Sequence, residues 1–226
     1  DDSYEAQLDG SYIAGTLGEW VLGAGAIDRW WGPGTQSSLM LSNNARPVPA
    51  LIFQTKGAQH FETPWLSWLG DWHFVSFIGQ MESNRVVPEA KLTGMRLTFK
   101  PFSSLEIGLS RAMQWGGEGR EENFSSFWKS ITTQGENSSE QSGNQIAGFD
   151  ARFNFNMADS LPSAIYAQYI GEDEAGYMPA KFIVQAGVES TYALSSGGYL
   201  NGVAEYTNTT SDSLGTERPN VAYEHS

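Results

Sequence analysis

Residues 146–157, IAGFDARFNFNM, alternate without a break: Ala147, Phe149, Ala151, Phe153, Phe155 and Met157 against Gly148, Asp150, Arg152, Asn154 and Asn156. Successive side chains of a strand point to opposite faces, so this segment is a strand with one apolar and one polar face. Residues 104–114 obey the same rule, with Leu105, Ile107, Leu109 and Met113 opposite Glu106, Gly108, Ser110 and Gln114, and with Arg111 on the apolar side. So do Phe182, Val184, Ala186, Val188, Tyr192 and Leu194 against Lys181, Gln185, Gly187, Glu189 and Thr191, and Met95, Leu97 and Phe99 against Gly94, Arg96 and Thr98. Several of these strands reach about ten residues, the length with which a tilted strand crosses a bilayer.

The connections alternate in length. Gly70-Asp71 and residues 100–103, 158–162 and 195–198 read as short, whereas 82–90, 115–145, 171–180 and 208–220 read as longer. Tight periplasmic turns and long external loops have this asymmetry in outer-membrane barrels, and a soluble sandwich has no reason for it. The expected fold is therefore all-β: an antiparallel up-and-down transmembrane β-barrel of the outer-membrane type. Trp68 and Trp72 beside one short turn, and Phe99 and Phe102 beside another, suit interfacial aromatic belts. Phe124, Phe127, Trp128 and Ile131 have helical spacing and predict a short helix in or over the barrel mouth. Residues 4–17 read as strand, and another strand begins after Asn220. The chain thus reads as a single domain over 1–226, a partial barrel cut from a longer one.

Composition removes the main alternatives. There is no Cys, so disulfide scaffolds, thiol catalysis and Cys-ligated zinc are excluded, and only three His argue against a His-built metal centre. No metal and no cofactor is expected. With 26 acidic against 13 basic residues, a net charge of −13, the chain lacks the basic face of a nucleic-acid binder. No apolar run is long enough for a spanning helix. Much of the negative charge falls in the long connections, at Glu118, Glu121, Glu122, Glu136, Glu140, Glu172, Asp173 and Glu174. Solvated loop tips explain it, and so do bridges through divalent cations to lipopolysaccharide. His60, His73 and His225 accompany no G-x-S-x-G, H-E-x-x-H or paired-carboxylate motif, so no enzyme is expected.

Residues 28–51, DRWWGPGTQSSLMLSNNARPVPAL, break the alternation. Gly32-Pro33-Gly34 demands a sharp turn, and Pro47 and Pro49 hold their neighbours extended. Counting parity from Trp20 to Ile27, an upward strand if the turn at Gly18 is periplasmic, puts Asp28 at the external or luminal end. The residue types suit sugar recognition: indole faces for the C–H side of a pyranose, amides for hydroxyls, and guanidinium forks for carboxylates. Arg29, Trp30, Trp31, Asn43, Asn44 and Arg46 are the candidate carbohydrate-binding residues. The competing reading is a plug-like turn whose charges satisfy one another. Arg96, Glu106, Asp150, Arg152 and Glu189, on the polar strand faces, are candidates to line the lumen.

The runs DRWWGPG and SSLMLSNNARPVPAL resemble the signature region of the Wzi family of capsule assembly proteins, and LTFKPFSSLEIGLSRAMQWGGEGR resembles the same family. The resemblance covers most of the chain, more loosely after about Gly143. It implies an outer-membrane barrel of about eighteen strands with a periplasmic helical element, acting as a lectin that attaches capsular polysaccharide to the bacterial surface. This chain supplies roughly ten to twelve strands and shows no such helical element. Its expected partners are acidic capsular polysaccharide, outer-membrane lipid and lipopolysaccharide, with no nucleic acid. The alternative function is a porin-like diffusion channel.

Overall fold

The computed structural model describes residues 8–132, 145–158, 161–172, 181–210, 212–213 and 216–217. Eleven strands form one antiparallel sheet in which neighbours along the chain pair with each other. They are β1 (Tyr12–Leu17), β2 (Trp20–Gly25), β3 (Ala50–Thr55), β4 (Gln59–His60), β5 (Asp71–Gln80), β6 (Lys91–Phe102), β7 (Leu105–Trp115), β8 (Gln145–Ala158), β9 (Leu161–Glu172), β10 (Lys181–Ala193) and β11 (Tyr199–Asn208). The short β4 pairs with β5 off the main path, and β12 (Asp212–Ser213) with β13 (Thr216–Glu217) forms a separate ladder. The sheet is an up-and-down meander with β1 and β11 as its edges, an open arc of barrel wall.

Every alternating segment is a strand, and the register keeps each face uniform. Leu105, Ile107 and Leu109 lie opposite Phe153, Ala151 and Phe149, while Glu106, Gly108 and Ser110 lie opposite Arg152, Asp150 and Gly148. Burial is inverted relative to a water-soluble protein. Leu109, Phe149, Phe153 and Ile165 are 42–54% exposed, whereas Arg96, Asp150, Gln168 and Gln185 are 1–8% exposed. An apolar outer face turned to lipid and a polar inner face require this pattern. Aromatics gather near both ends of the outer face. Trp20 stacks on Phe53 at 4.5 Å with Phe74 edge-on to both, Phe61 stacks on Trp72, and Phe149, Tyr169 and Phe182 form a row toward the other end.

Three details depart from the expectation. The short turn at Gly70-Asp71 is the end of a long connection, residues 56–70, which contains β4 and a 3-10 helix at Ser67–Leu69. Pro64 cannot donate to a ladder, and Gly70, at φ 64°, closes the 3-10 turn in a conformation other residues avoid. Phe99 and Phe102 do not flank a turn either. Both belong to β6, whose register shifts between them around Pro101, and the turn is at Ser103-Ser104. Finally, α1 (Phe124–Thr132) forms as the spacing predicts, but Phe127 packs on Trp115 at 5.2 Å. Trp115 belongs to the outer-face set of β7, and its outer-face neighbours Met113 and Thr93 are buried there. The helix therefore packs against the outer-face Trp115 at the end of β7. Residues 4–7 of the expected first strand, the acidic loop positions Glu136, Glu140, Asp173 and Glu174, and the strand after Asn220 lie outside the described residues.

Residues 26–49, between β2 and β3, fold back along the inner face. An irregular segment enclosed by a barrel has to find partners for its backbone in the wall. The Trp31 N–H donates to the Leu41 carbonyl at 2.9 Å and closes the segment on itself. Gln168 of β9 donates to the Trp31 carbonyl at 2.7 Å and accepts from the Leu39 N–H at 2.9 Å. Gln185 of β10 donates to the Ser37 carbonyl and hydroxyl at 3.1 and 2.7 Å. Glu205 of β11 accepts from the Thr35 N–H at 2.5 Å and the Gln36 N–H at 3.1 Å, and Tyr166 donates to the same carboxylate. Trp31, Leu39 and Met40 form an apolar core with Ala50, Phe77, Ala112, Ile170 and Ile183 of the wall. Gly94 leaves the room that Trp31 and Phe77 share, since a Cβ there would collide with both rings.

The inner face also holds a buried ion pair. Arg96 of β6 donates to both oxygens of Asp150 on β8, at 2.6 and 2.9 Å, and to Ser110 of β7 at 2.6 Å. Removing one partner of such a pair strands a buried charge, whereas replacing both with apolar groups does not. Arg96→Met is expected to cost about 3–5 kcal/mol of stability. Arg96→Met with Asp150→Leu is expected to restore most of it in denaturant unfolding of the detergent-solubilised protein. Gln168→Leu, which removes one donor and one acceptor from the returning segment, is expected to cost about 1–3 kcal/mol in the same assay.

Candidate functional site

The returning segment does not fill the wall completely. Between residues 27–48 and one end of β5 to β8, at Phe77, Leu92, Gln114 and Ile146, lies a cavity of about 280 Å³. Its apolar lining comes from Met40, Val48, Phe77, Met81, Leu92 and Ile146, and its polar lining includes Asp28, Arg29, Arg46, Arg85 and Gln114. Three of the chain's 13 basic residues thus converge on one recess of an acidic molecule.

Each guanidinium is held differently. Arg29 donates through Nη1 to the Ile27 and Val48 carbonyls at 3.2 and 3.3 Å and stacks over the Phe77 ring at 4.0 Å. Its Nη2 is buried and has no hydrogen-bond partner. Burial lowers the Arg29 pKa, and the neighbouring Asp28 carboxylate works in the opposite direction. Arg46 forms a two-pronged pair with Asp9 at 3.0 and 3.2 Å, and both side chains remain accessible. Arg85 pairs with Glu82 at 2.7 Å, a hydrogen bond that holds the Glu82 carboxyl below its ordinary range.

Of the residues expected to bind sugar, the structure brings Arg29 and Arg46 together around this cavity. Asn43 and Asn44 sit on an exposed turn between Ser42 and Ala45, which both line the cavity. Trp30 is 37% exposed, donates its indole N–H to the Gly34 carbonyl at 3.0 Å, and lies outside the lining. Trp31 is 5% exposed and meets Phe77 edge-on at 5.5 Å. Its indole is a core anchor of the segment, so it offers no open face for stacking. Arg85 and Gln114 line the cavity without having been singled out in the sequence. Arg85 lies in a connection of ordinary composition, and Gln114 is one polar residue among many on its face.

The five expected lumen residues all lie on the inner face, and each is engaged there. Arg96 holds Asp150. Arg152 pairs with Glu189, which also accepts from the Thr35 hydroxyl at 3.1 Å. Glu106 pairs with Lys100 at 3.1 Å. Their charges are spent within the wall and on the returning segment, so they do not form an open charged ring. Among the described residues no group of three or more His, Asp or Glu has the arrangement of a metal site.

Comparison with known proteins agrees with this layout. The family model for the capsule assembly protein Wzi matches residues 1–226. An uncharacterized 55.8 kDa protein in the cps region of Klebsiella pneumoniae is 41% identical over 182 residues, which are 80% of this chain and 36% of that protein. The solved structure of Wzi, described as an outer-membrane protein involved in group 1 capsule assembly in Escherichia coli and as a carbohydrate-binding β-barrel, superposes with a TM-score of 0.83 at 35% identity. It is matched over 96% of this chain and 46% of its own, so the chain spans less than half the length of either relative. With a family match over its full length, an inside-out burial pattern and the wall of a solved family member, the chain belongs to the Wzi family of outer-membrane capsule assembly proteins.

Proposed function

We propose that this chain is the part of an outer-membrane lectin that holds capsular polysaccharide at the external mouth of its barrel, and that it does so without catalysis. The eleven-stranded sheet is read as one arc of a larger single barrel domain, consistent with relatives more than twice its length. One observation carries the reading. The signature segment, instead of forming a plain loop, is pinned to the inner face and leaves an arginine-lined recess at the external end. Trp30, Asn43, Asn44 and Arg46 are exposed around that end, where a polymer approaching from outside meets them. Two accessible arginines, Arg46 and Arg85, favour an acidic polymer, because the chain as a whole repels anions and only a local excess of cations attracts them. The apolar outer face is turned to outer-membrane lipid, and the acidic external loops stand beside lipopolysaccharide.

Polysaccharide capture is expected to be measurable by titrating the full-length parent, in detergent, with capsular polysaccharide from the strain that carries its gene. Trp30→Ala combined with Arg46→Ala is expected to weaken binding at least about tenfold. Unchanged affinity would remove these residues from the site. The same protein in planar bilayers is expected to pass no large steady current, since the returning segment occupies the inner face. A porin-like conductance would overturn the lectin reading.

A further inference from the structure

We infer that α1 is an interfacial anchor, whose exposed aromatic side lies in the lipid at the border of the bilayer beside the end of β7. This goes beyond sugar binding and does not depend on it. It rests on the outer-membrane barrel fold alone.

The wall beside the helix is unlike the rest of the outer face. Thr93, Met113 and Gln145 are register partners across β6, β7 and β8, on the same face as Leu109 and Phe149. Leu109 and Phe149 are open to lipid, but Thr93, Met113 and Gln145 are buried. Arg111, on that face too, donates to the Gln145 side-chain oxygen, and Trp115 donates its indole N–H to the Thr93 hydroxyl at 3.0 Å. A polar row turned to hydrocarbon would be costly, and this one is covered. At this end of β6 to β8 the bare wall is therefore no longer the surface that meets lipid. β7 also ends at the right height. It has eleven residues, hence ten steps, from Leu105 beside a tight turn to Trp115. At about 3.4 Å per step and a tilt of about 40° the rise is about 26 Å, against an apolar band about 25 Å tall. Trp115 thus stands at the border of that band, where aromatic girdles collect.

The helix packed there is held in place and turns aromatics outward. Asn123 caps it, accepting from the Ser126 N–H at 2.8 Å, while the Ser126 hydroxyl accepts from the Asn123 N–H at 3.0 Å. Glu122 accepts from the Gly117 N–H at 2.8 Å and pairs with Lys91 of β6 at 3.1 Å. The Glu118 N–H donates to the Pro88 carbonyl at 2.9 Å and ties the same connection to residues 82–90. Phe127 then meets Trp115, Phe124 lies 6.4 Å from Phe127, and Trp128 stacks on Phe124 at 6.3 Å. Phe124 and Trp128 are 76% and 54% exposed. A helix in water turns its polar side outward. An amphipathic helix at a membrane does the reverse, with its apolar side about 5–10 Å into the boundary of headgroups and acyl chains. The occupant of the open side is lipid and not a second copy of the chain. Trp115, Phe127, Phe124 and Trp128 form one run of aromatic contacts that extends the outer face, which the barrel already turns to lipid.

The test uses the full-length parent in phosphatidylcholine nanodiscs, otherwise free of cysteine, with one nitroxide spin label on an introduced Cys; residues 1–226 contain no native Cys. Power saturation of the label compares its collisions with oxygen, which concentrates in lipid, and with a water-soluble nickel chelate. On Phe124→Cys, oxygen is expected to dominate, at a depth of about 5–10 Å below the headgroups. On Ser125→Cys, about 100° round the helix, the nickel chelate is expected to dominate. Trp128→Cys repeats the measurement on the aromatic side, so the answer survives the failure of one variant to fold. Dominance of the nickel chelate at 124, 125 and 128 alike would place the helix in water and overturn the anchor. Labels at 124 and 128 that neither reagent reaches would mean that protein covers them, which also overturns it. So would oxygen dominance at 125 equal to that at 124, because the helix would then be immersed on all sides. None of these outcomes touches the lectin reading, which the polysaccharide titration decides separately.

Discussion

An irregular stretch of backbone inside a barrel wall has to have its amides answered by the wall, and in this protein the answer decides where everything else sits. Gln168 is the clearest case. Its side-chain amide takes the Leu39 N–H and gives to the Trp31 carbonyl, so one side chain bridges the two arms of the returning segment. Gln185, Glu189 and Glu205 continue the same service along 35–37. These contacts come from three successive strands on the side of the sheet far from β2 and β3, which launch and receive the segment. The segment is thus stretched across the arc. Had its backbone been met only by its own strands, it would have formed an ordinary external loop, without a recess behind it.

Much of the wall is legible from sequence because its physics is local in the chain. Each residue has to choose lipid or lumen, and alternation records the choice at every position from Ile146 to Met157. Connections follow less well. Residues 56–70 hold β4 and a 3-10 turn because a proline and a left-handed glycine shape them, and neither effect follows a period. The position of α1 was also out of reach. Its apolar stripe is plain in Phe124, Phe127 and Trp128, but a stripe does not say which surface it meets, and Phe127 chose the outer-face Trp115.

The site divides in the same way. Composition alone marked Arg29 and Arg46, since arginines in a Trp- and Asn-rich segment are unusual in a membrane strand. It could not separate Trp30 from Trp31. The two are adjacent and chemically identical, and only the carbonyl bond to Gln168 and the glycine at position 94 sink the second into the core. Arg85 reached the cavity from a different connection, by a packing that brings Met81 and Ala90 against Val48. Long-range contacts of this kind leave no trace in a single sequence.

The electrostatics then acquire a direction. A net charge of −13 spread over loops and lumen keeps anions away from most of this molecule. Within the wall, Arg96 and Arg152 are cancelled by Asp150 and Glu189, so these two arginines do not line the inner face as free cations. At the external end the balance changes. Arg46 and Arg85 are paired with exposed carboxylates, through bonds that water and a competing anion can exchange at little cost. Arg29 sits behind them with one nitrogen unmet and its position already set. On the proposed lectin reading, the cations open to an anion are therefore gathered at this end, where a surface that retains a polymer needs them, and not along the wall, where a conducting channel would.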